Sequence, residues 1–211
     1  MSIQTFDSSN FQKICNKLCR IDKELNSVIK QHGHPPMWTR PATFQTLILF
    51  ILEQQVSLAS AYAAFKKLKE KIGYVTPSKI LSLTDAELRF CYFSRQKIIY
   101  ARELAKAVQS KQLRLHKFSN AHEDEIRVEL KKIKGIGDWT VDVYLLFALQ
   151  RSDVFPHGDL AMINAFKKVK GLSVKAGKEK IIGMADAWRP YRSVATMILR
   201  HYYLSIRKKG N

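Results

Sequence analysis

The sequence lacks the features that mark membrane, secreted and disulfide-rich proteins. No apolar run approaches the roughly 18 uninterrupted residues of a membrane span, and the first residues, MSIQTFDSSNFQKI, contain no basic stretch that leads into an apolar signal core. The three cysteines, Cys15, Cys19 and Cys91, are odd in number and unevenly spaced, which fits neither a disulfide framework nor a four-thiolate metal cluster. We therefore expect a cytoplasmic protein with reduced, buried thiols.

Acidic residues are scarce beside basic ones. The 211-residue chain contains 36 Lys and Arg against 18 Asp and Glu, a formal net charge of +18 that is spread along the sequence instead of lying in a tail. Such an excess favours a polyanionic partner, because release of counterions from phosphates is a general source of affinity. Nucleic acid is the leading candidate, and the alternative is a basic protein without such a partner.

The alternating patterns typical of β-strands are nearly absent, and helix signals dominate. Residues 42–73 are rich in Ala, Leu and Lys, follow Pro41 and end at Gly73, which predicts two consecutive helices broken near Gln55–Ser57. Residues 94–110 carry apolar side chains at spacings of three and four and predict an amphipathic helix. Further helices are predicted in segments 76–90 (two short ones), 122–132 and 188–209, and from about Asp138 onward.

The domain organisation follows from the absence of linkers. No long Gly/Ser stretch or low-complexity tract divides the chain, so the predicted fold is all-α, with two closely packed helical lobes in one domain of residues 1–211. The lobes are expected at about 35–111 and at 1–34 plus 112–211. Segment 112–121 is the best candidate for a crossover between them.

One predicted turn contains two glycines in three residues. Gly135-Ile136-Gly137 separates a helix that is predicted to end near residue 132 from one that starts near residue 138. Glycine permits positive φ angles and a close backbone approach, and the first N–H groups of the second helix lack intrahelical partners, so the turn can bind an anion. A turn of this kind can also serve only to reverse an αα-hairpin. The lysines that add positive charge beside it are Lys131, Lys132 and Lys134.

The region around this turn resembles a known family. The run LKKIKGIGDWTVDVYLLFALQRSDVFPHGDLAM, residues 130–162, is similar to the helix-hairpin-helix, Gly/Pro-rich loop and aspartate of the HhH-GPD superfamily of DNA glycosylases. The stretches ILEQQVSLASA (51–61) and WRPYRS (188–193) resemble two further motifs of that superfamily. Within it, the sequence most resembles the 3-methyladenine DNA glycosylase II branch. The resemblance implies a hairpin at Ile133–Gly137 and an active site in a cleft between the two lobes.

The resemblance also implies a monofunctional enzyme. Superfamily members that combine glycosylase and lyase activity carry a nucleophilic lysine two residues after the last hairpin glycine, where this sequence has Trp139. Tryptophan cannot form a Schiff base, so water is expected to attack the sugar. The iron–sulfur cluster of other branches is not expected, because it needs four closely spaced cysteines.

Asp159 is the catalytic residue that the resemblance implies. Cleavage of an N-glycosidic bond builds positive charge on the sugar, so a carboxylate beneath C1′ would stabilise that charge and orient water. Asp159 also precedes the segment LAMINAFKKVKG, and the alternative interpretation is a helix N-cap. Both roles are compatible, because a carboxylate at a helix N-terminus stays ionised. The competing carboxylates are Asp138, Asp142 and Asp153.

The DNA contacts are assigned by the same resemblance. The side chain that fills the gap left by a flipped base is expected in the helix break at Gln54–Ser57, with Gln55 the leading candidate. Polar residues at such a break can instead cap two abutting helices. The DNA-binding candidates are Gln54, Gln55, Ser57, Lys132, Lys134, Gly135, Ile136, Gly137 and Thr140. The backbone carbonyls of Lys131, Ile133 and Ile136 would hold a monovalent cation, Na⁺ or K⁺.

An aromatic pocket would bind an electron-poor alkylated purine through stacking and cation–π contact. The base-pocket candidates are Trp139, Tyr144, Phe155 and Tyr191. Aromatic residues at helical spacing are otherwise core residues. Arg200 departs from the family, since relatives tend to place tryptophan at this position, and a guanidinium that points into the pocket would repel a cationic base.

We therefore expect a monomeric, monofunctional DNA glycosylase of base excision repair that removes alkylated purines, chiefly 3-methyladenine, from damaged duplex DNA and leaves an abasic site. It would require no cofactor, would not bind a membrane and, in a bacterium, would be associated with the nucleoid. Two alternatives stay open. One is a non-catalytic helix-hairpin-helix protein that binds DNA or senses lesions, and the other is a glycosylase for deaminated or oxidised bases.

Overall fold

The computed structural model describes residues 4–208, and its architecture is all-α, as predicted. Within these residues, β pairing is confined to an isolated antiparallel bridge between Thr5 and Arg151. The helices are α1 (Phe11–Ile21), α2 (Lys23–His32), α3 (Phe44–Glu53), α4 (Leu58–Ile72), α5 (Pro77–Ser82), α6 (Asp85–Phe90), α7 (Arg95–Gln109), α8 (Glu123–Lys131), α9 (Asp138–Phe147), α10 (Leu160–Val169), α11 (Lys178–Ala185) and α12 (Arg192–Lys208), with 3₁₀ turns at Leu115–Lys117 and Asp186–Trp188.

Local capping signals explain why the helix starts were predictable. The side chains of Ser57, Thr76 and Ser94 accept hydrogen bonds from backbone N–H groups in the first turns of α4, α5 and α7. Thr84 and Glu87 form a reciprocal capping box at the start of α6. The predicted break between α3 and α4, the two short helices and the amphipathic α7 are therefore confirmed.

Two parts of the helix prediction need correction. The last helix begins at Arg192 and not near residue 188, because Trp188 closes a 3₁₀ turn and Pro190 follows it without an N–H to donate. Helix α11 was not predicted, and neither were α1 and α2. Their signal was local but short: Asp22 separates them and accepts hydrogen bonds from the N–H groups of Glu24 and Leu25 as the N-cap of α2.

The chain divides into two compact units. The middle unit comprises Arg40–Tyr144, and the N/C unit comprises Met1–Thr39 with Leu145–Asn211. Segment 112–144 thus belongs with the helices before it, and the expected crossover at 112–121 lies inside the middle unit. The physical reason is apolar burial, since Leu113 and Phe118 are buried and the Phe118 ring packs edge-on against Tyr144 at 6.2 Å.

Helix α3 forms the centre of the middle unit. It is buried without interruption over residues 47–53 and packs against α4 and α7. Its last residue, Glu53, is a buried carboxylate whose charge is matched by Arg40 through two hydrogen bonds of 2.7 and 3.0 Å. The Arg40 guanidinium also stacks on the Phe50 ring at 4.7 Å. Such bidentate pairing makes a buried charge tolerable.

The N/C unit is built around Trp188. Its fully buried ring contacts Phe155 and Phe166, whose centroids lie 6.3 and 5.2 Å away. Helix α12 packs against α1, α2 and α10 around this core. In the part of the chain that the structure describes, no helix is both long and apolar enough to cross a bilayer.

The cysteines are free thiols, as predicted. Cys15 and Cys91 are buried, whereas Cys19 is only partly so. Burial raises the pKa of Cys15 to about 12, so this thiol stays protonated and unreactive at neutral pH.

Candidate DNA-binding and active site

The predicted hairpin forms between α8 and α9. Gly135 has a φ of +92°, and a Cβ added to it would overlap the ring of Tyr100. Only glycine satisfies both conditions without strain. The turn is closed by a hydrogen bond from the Ile136 N–H to the Ile133 carbonyl at 3.0 Å, and the Ile136 side chain is buried beneath it. The Tyr100 ring and the buried Ile136 side chain therefore both hold the turn in place.

The lysines at the hairpin differ in their partners. Lys131 pairs with Asp138 at 2.7 Å, and Lys132 pairs with Glu129 at 2.6 Å. Lys134 is exposed and forms no ion pair with the acidic residues of the described chain, 4–208. Lys134 is therefore the hairpin lysine whose charge is least compensated.

Asp159 lies at the N-terminus of α10, directly after the loop 154–158. It is half-buried, and its Oδ1 accepts a hydrogen bond from the Met162 N–H at 3.0 Å, so the N-cap interpretation is confirmed. The partial positive charge of the α10 N-terminus lies beside this side chain. The N-cap role is compatible with the catalytic prediction, because the cap is one hydrogen bond to Oδ1 and a carboxyl group has two oxygens.

The three competing carboxylates are bound in ion pairs. Asp142 is buried and pairs with Arg127 at 2.6 Å, which joins α9 to α8. Asp153 pairs with Arg189 at 2.6 Å and with Arg192 at 2.8 Å. Asp138 pairs with Lys131, as described above. Each of these carboxylates thus already has a structural partner.

The helix break separates two consecutive glutamines. Gln54 turns inward: its Nε2 donates hydrogen bonds to the Gly135 carbonyl at 2.8 Å and to the Thr140 hydroxyl at 2.9 Å. Gln55 is exposed, with a φ of +56°. Ser57 is also exposed, but it caps α4 by accepting a hydrogen bond from the Ser60 N–H at 3.1 Å.

These contacts correct two of the predicted DNA contacts. The Thr140 side chain is buried, with 1% of the residue exposed, and it is bonded to Gln54. The two Gln54 N–H bonds are therefore used inside the protein, and burial keeps the Thr140 hydroxyl away from DNA. The Ser57 hydroxyl caps α4, as the alternative interpretation of this residue predicted. Gln55 remains the break residue that projects from the surface.

Two of the four base-pocket candidates are core residues. Tyr144 is fully buried and packs against Phe118, and burial raises the pKa of its hydroxyl. Phe155 is buried in the aromatic core of the N/C unit around Trp188. Neither ring presents a face for stacking in this conformation, because hydrophobic packing at helical spacing has buried them.

The other two pocket candidates, Trp139 and Tyr191, are partly exposed. The Tyr191 hydroxyl accepts a hydrogen bond from Lys17 Nζ at 3.4 Å, and the same ammonium lies 4.8 Å from the ring centroid. The ring of Tyr191 can therefore hold a cation against its face.

Arg200 lies against two aromatic rings that the sequence did not suggest. Its guanidinium carbon is 5.7 Å from the centroid of Trp38 and 5.2 Å from that of Phe147. Trp38 stands in the non-helical stretch GHPPMWTRPA, where an isolated tryptophan among prolines is the signal that would have drawn attention. The neighbouring His201 contacts Trp38 and bonds to the His32 carbonyl at 2.9 Å.

No group of three or more His, Cys, Asp and Glu side chains that could hold a metal ion occurs within residues 4–208. The chemistry of a cation at the hairpin would rest on backbone oxygens. Of the three predicted carbonyls, that of Ile133 accepts the turn bond from Ile136 and keeps a second lone pair.

Comparison with known proteins decides the family. Residues 48–190 match the family described as "HhH-GPD superfamily base excision DNA repair protein". The chain belongs to the HhH-GPD superfamily. The match includes the helix break, the hairpin, the loop and Asp159, so the family that the sequence motifs predicted is confirmed.

The names of similar proteins agree with the predicted branch of the HhH-GPD superfamily. YfjP of Bacillus subtilis, provisionally named a DNA-3-methyladenine glycosylase, is 28% identical over 183 residues, and the match covers 83% of this chain and 64% of YfjP. The alkylbase DNA glycosidase-like protein mag2 of Schizosaccharomyces pombe is 28% identical over 198 residues, which cover 90% of this chain and 93% of that protein.

Solved structures of the HhH-GPD superfamily share the fold. The 3-methyladenine DNA glycosylase of Schizosaccharomyces pombe in complex with abasic DNA has a TM-score of 0.83 and 27% identity, and the match covers 89% of this chain and 94% of that chain. The DNA-3-methyladenine glycosidase of Bacillus halodurans has a TM-score of 0.77 and 29% identity over 99% of this chain and 95% of that chain.

Proposed function

We propose that this HhH-GPD protein is a monofunctional DNA glycosylase that hydrolyses the N-glycosidic bond of alkylated purines in duplex DNA and leaves an abasic site. The observation that carries the proposal is the position of Asp159. It is a half-buried carboxylate at the N-terminus of α10, directly after the loop 154–158 and within residues 48–190, the region that matches the HhH-GPD family. The similarity to proteins named alkylbase DNA glycosidase-like protein and 3-methyladenine DNA glycosylase supports the same conclusion.

In the proposed reaction, Asp159 acts beneath C1′ of the flipped nucleotide. The C1′–N bond breaks with its electron pair moving to the base, and the sugar develops positive charge that the carboxylate stabilises. A water oxygen then bonds to C1′, and its proton passes to the Asp159 carboxylate or to solvent. Trp139 offers no amine at the position of the lyase nucleophile, so the products are a free base and an intact abasic strand.

The middle unit is proposed to hold the DNA backbone. The N–H groups at the start of α9 and the charge of the exposed Lys134 would bind phosphate oxygens. A monovalent cation held by the carbonyls of Lys131, Ile133 and Ile136 would bridge the turn and a phosphate, and we include it in the proposal. Gln55, exposed in the helix break, is proposed to fill the gap in the base stack. A single copy of the chain carries all these groups, so we propose a monomer.

A glycosylase for neutral deaminated or oxidised bases is the second candidate. It is favoured by Arg200, whose guanidinium lies against Trp38 and Phe147 in the N/C unit. A positive charge disfavours a cationic purine and tolerates a neutral base with carbonyl acceptors. The two candidates share Asp159 and differ only in the base that is released.

Base release from methylated duplex DNA tests the proposal. Chromatography of the released bases would compare the wild type, Asp159→Asn and the control Asp124→Asn, an exposed aspartate in the first turn of α8. We expect 3-methyladenine from the wild type and the control, and none from Asp159→Asn, although that variant should still bind abasic DNA. Release of hypoxanthine or an oxidised purine instead would select the second candidate. Binding without release from any of these substrates would contradict both and indicate a non-catalytic protein.

A further inference from the structure

We propose that Gln54 is a positioning residue that joins the exposed break residues 55–57 to the hairpin turn, so that both meet DNA as one rigid body. This role rests on the proposed function only in that the hairpin must bind DNA. The two consecutive glutamines then have different roles: Gln54 forms hydrogen bonds within the protein, and Gln55 is exposed to solvent.

The Gln54 amide is fully used as a donor. A side-chain amide has two N–H bonds, and here one hydrogen bond goes to the Gly135 carbonyl at 2.8 Å and the other to the Thr140 hydroxyl at 2.9 Å. These acceptors lie before and within the first turn of α9. Gln54 thus spans 81 and 86 residues of sequence and joins the middle of the hairpin turn to the first turn of α9.

Helix α7 supports both elements from the other side. The Tyr100 ring lies against Gly135 so closely that no Cβ fits between them. Lys97 Nζ donates a hydrogen bond to the Leu52 carbonyl at 2.6 Å and so satisfies the C-terminal end of α3. Helix α7 therefore contacts both the end of α3 and the hairpin turn, and Gln54 joins these two elements to each other.

The Gln54 contacts also determine the place of Gln55. A non-glycine residue with a φ of +56° is held in an uncommon conformation, which persists only where neighbouring contacts impose it. The adjacent Gln54 side chain supplies such contacts. Loss of the Gln54 hydrogen bonds would release the exposed break residue and the phosphate-binding turn together.

Affinity for DNA provides the test. The dissociation constant would be measured by fluorescence anisotropy on a duplex with a stable abasic-site analogue, for Gln54→Leu, Gln54→Glu and the control Gln109→Leu, an exposed glutamine at the end of α7. We expect a loss of about tenfold for Gln54→Leu, since unmade hydrogen bonds leave buried acceptors unsatisfied. Gln54→Glu should lose as much, because a carboxylate cannot donate to the Gly135 carbonyl. The control should bind like the wild type.

A double-mutant cycle with Lys134→Ala separates positioning from stability. If Gln54 positions the turn, Lys134→Ala should have little further effect in the Gln54→Leu background, because the displaced turn no longer presents this lysine to phosphate. A merely structural residue would lower the melting temperature, leave the affinity unchanged and give additive effects, and that result would overturn the proposal. Should Gln54→Leu fail to fold, Thr140→Val removes one acceptor with the side-chain shape kept, and we expect a loss of about threefold.

Failure of the glycosylase proposal is a separate outcome. A wild type that binds the abasic duplex but releases no base would contradict catalysis by Asp159, and the affinity comparison for Gln54 would still be decisive. A wild type that binds no DNA would overturn the positioning role as well.

Discussion

The ammonium group of the half-buried Lys170 lies 2.5 Å from the carboxylate of the buried Asp22, although 148 positions separate the two residues. The same carboxylate accepts a hydrogen bond from the indole N–H of Trp188 at 2.6 Å and caps α2 through the Leu25 N–H at 3.0 Å. One aspartate therefore joins α2, the end of α10 and the central tryptophan of the N/C unit.

Removal of this carboxylate should be strongly destabilising. Asp22→Ala leaves the ammonium of Lys170 and the indole N–H of Trp188 without their main acceptor, and we expect the free energy of unfolding to fall by about 3–5 kcal/mol. Glu24 also contacts Lys170, at 2.9 Å, but is partly exposed, so Glu24→Ala should cost less than about 1 kcal/mol. Urea unfolding of both variants measures the difference. Equal losses would show that Asp22 is not the central member.

The same site should make folding sensitive to acid. Burial raises the pKa of Asp22, but hydrogen bonds from Lys170, Leu25 and Trp188 outweigh it, and the net pKa is lowered. A lowered pKa in the folded state adds stability above the ordinary value of about 4, and this stability is lost as the pH falls through the folded-state pKa. Unfolding free energies between pH 6 and pH 3 should therefore fall less steeply for Asp22→Asn than for the wild type. Parallel curves would contradict this linkage.

Gly135 should tolerate no side chain. Gly135→Ala combines a φ of +92° with overlap of the Tyr100 ring, and we expect a loss of about 3 kcal/mol in the free energy of unfolding. Gly137 is the matched control, because a Cβ there meets nothing within 4 Å, and Gly137→Ala should change stability by less than about 1 kcal/mol. Addition of Tyr100→Ala should recover only part of the loss, since the positive φ remains. Full recovery would assign the whole effect to the overlap.

Local features were predictable from the sequence, and long-range ones were not. The helix starts at Ser57 and Thr84 depend on neighbours within a few residues, and the turn at Gly135 is marked by its own glycines, so the residue types alone indicated them. The inward turn of Gln54 depends on a carbonyl 81 residues away. The burial of Phe155 likewise depends on Trp188. A motif gives the order of such residues along the chain but not the direction in which each side chain points.

The hairpin lysines should contribute unequally to DNA affinity. Lys134 has no acidic partner among residues 4–208, whereas Lys132 pairs with Glu129 at 2.6 Å. Lys134→Ala should make the negative slope of log affinity against log salt concentration shallower by about 1, because one phosphate contact releases about one counterion. Lys132→Ala should have a smaller effect. Glu129→Gln, which frees Lys132, should make the slope steeper. Slopes equal to that of the wild type in all three variants would show that the hairpin lysines do not contact the DNA backbone.

Arg200 should control the choice between cationic and neutral bases. Its guanidinium lies against Trp38 and Phe147, and a cationic base bound about 10 Å from it would be repelled by about 1.7 kcal/mol at an effective dielectric constant of about 20. Arg200→Met removes this charge but keeps a long apolar side chain.

The ratio of kcat/KM for 3-methyladenine to that for hypoxanthine should therefore rise by about tenfold in Arg200→Met, since about 1.4 kcal/mol corresponds to a factor of ten. Arg207 provides the control, because it lies on the same helix, is exposed and stacks on Tyr203 at 5.4 Å, so Arg207→Met should leave the ratio unchanged. Base release from matched duplexes with either lesion measures both variants. A ratio that stays the same in Arg200→Met would show that the guanidinium acts on the fold of the N/C unit and not on the base.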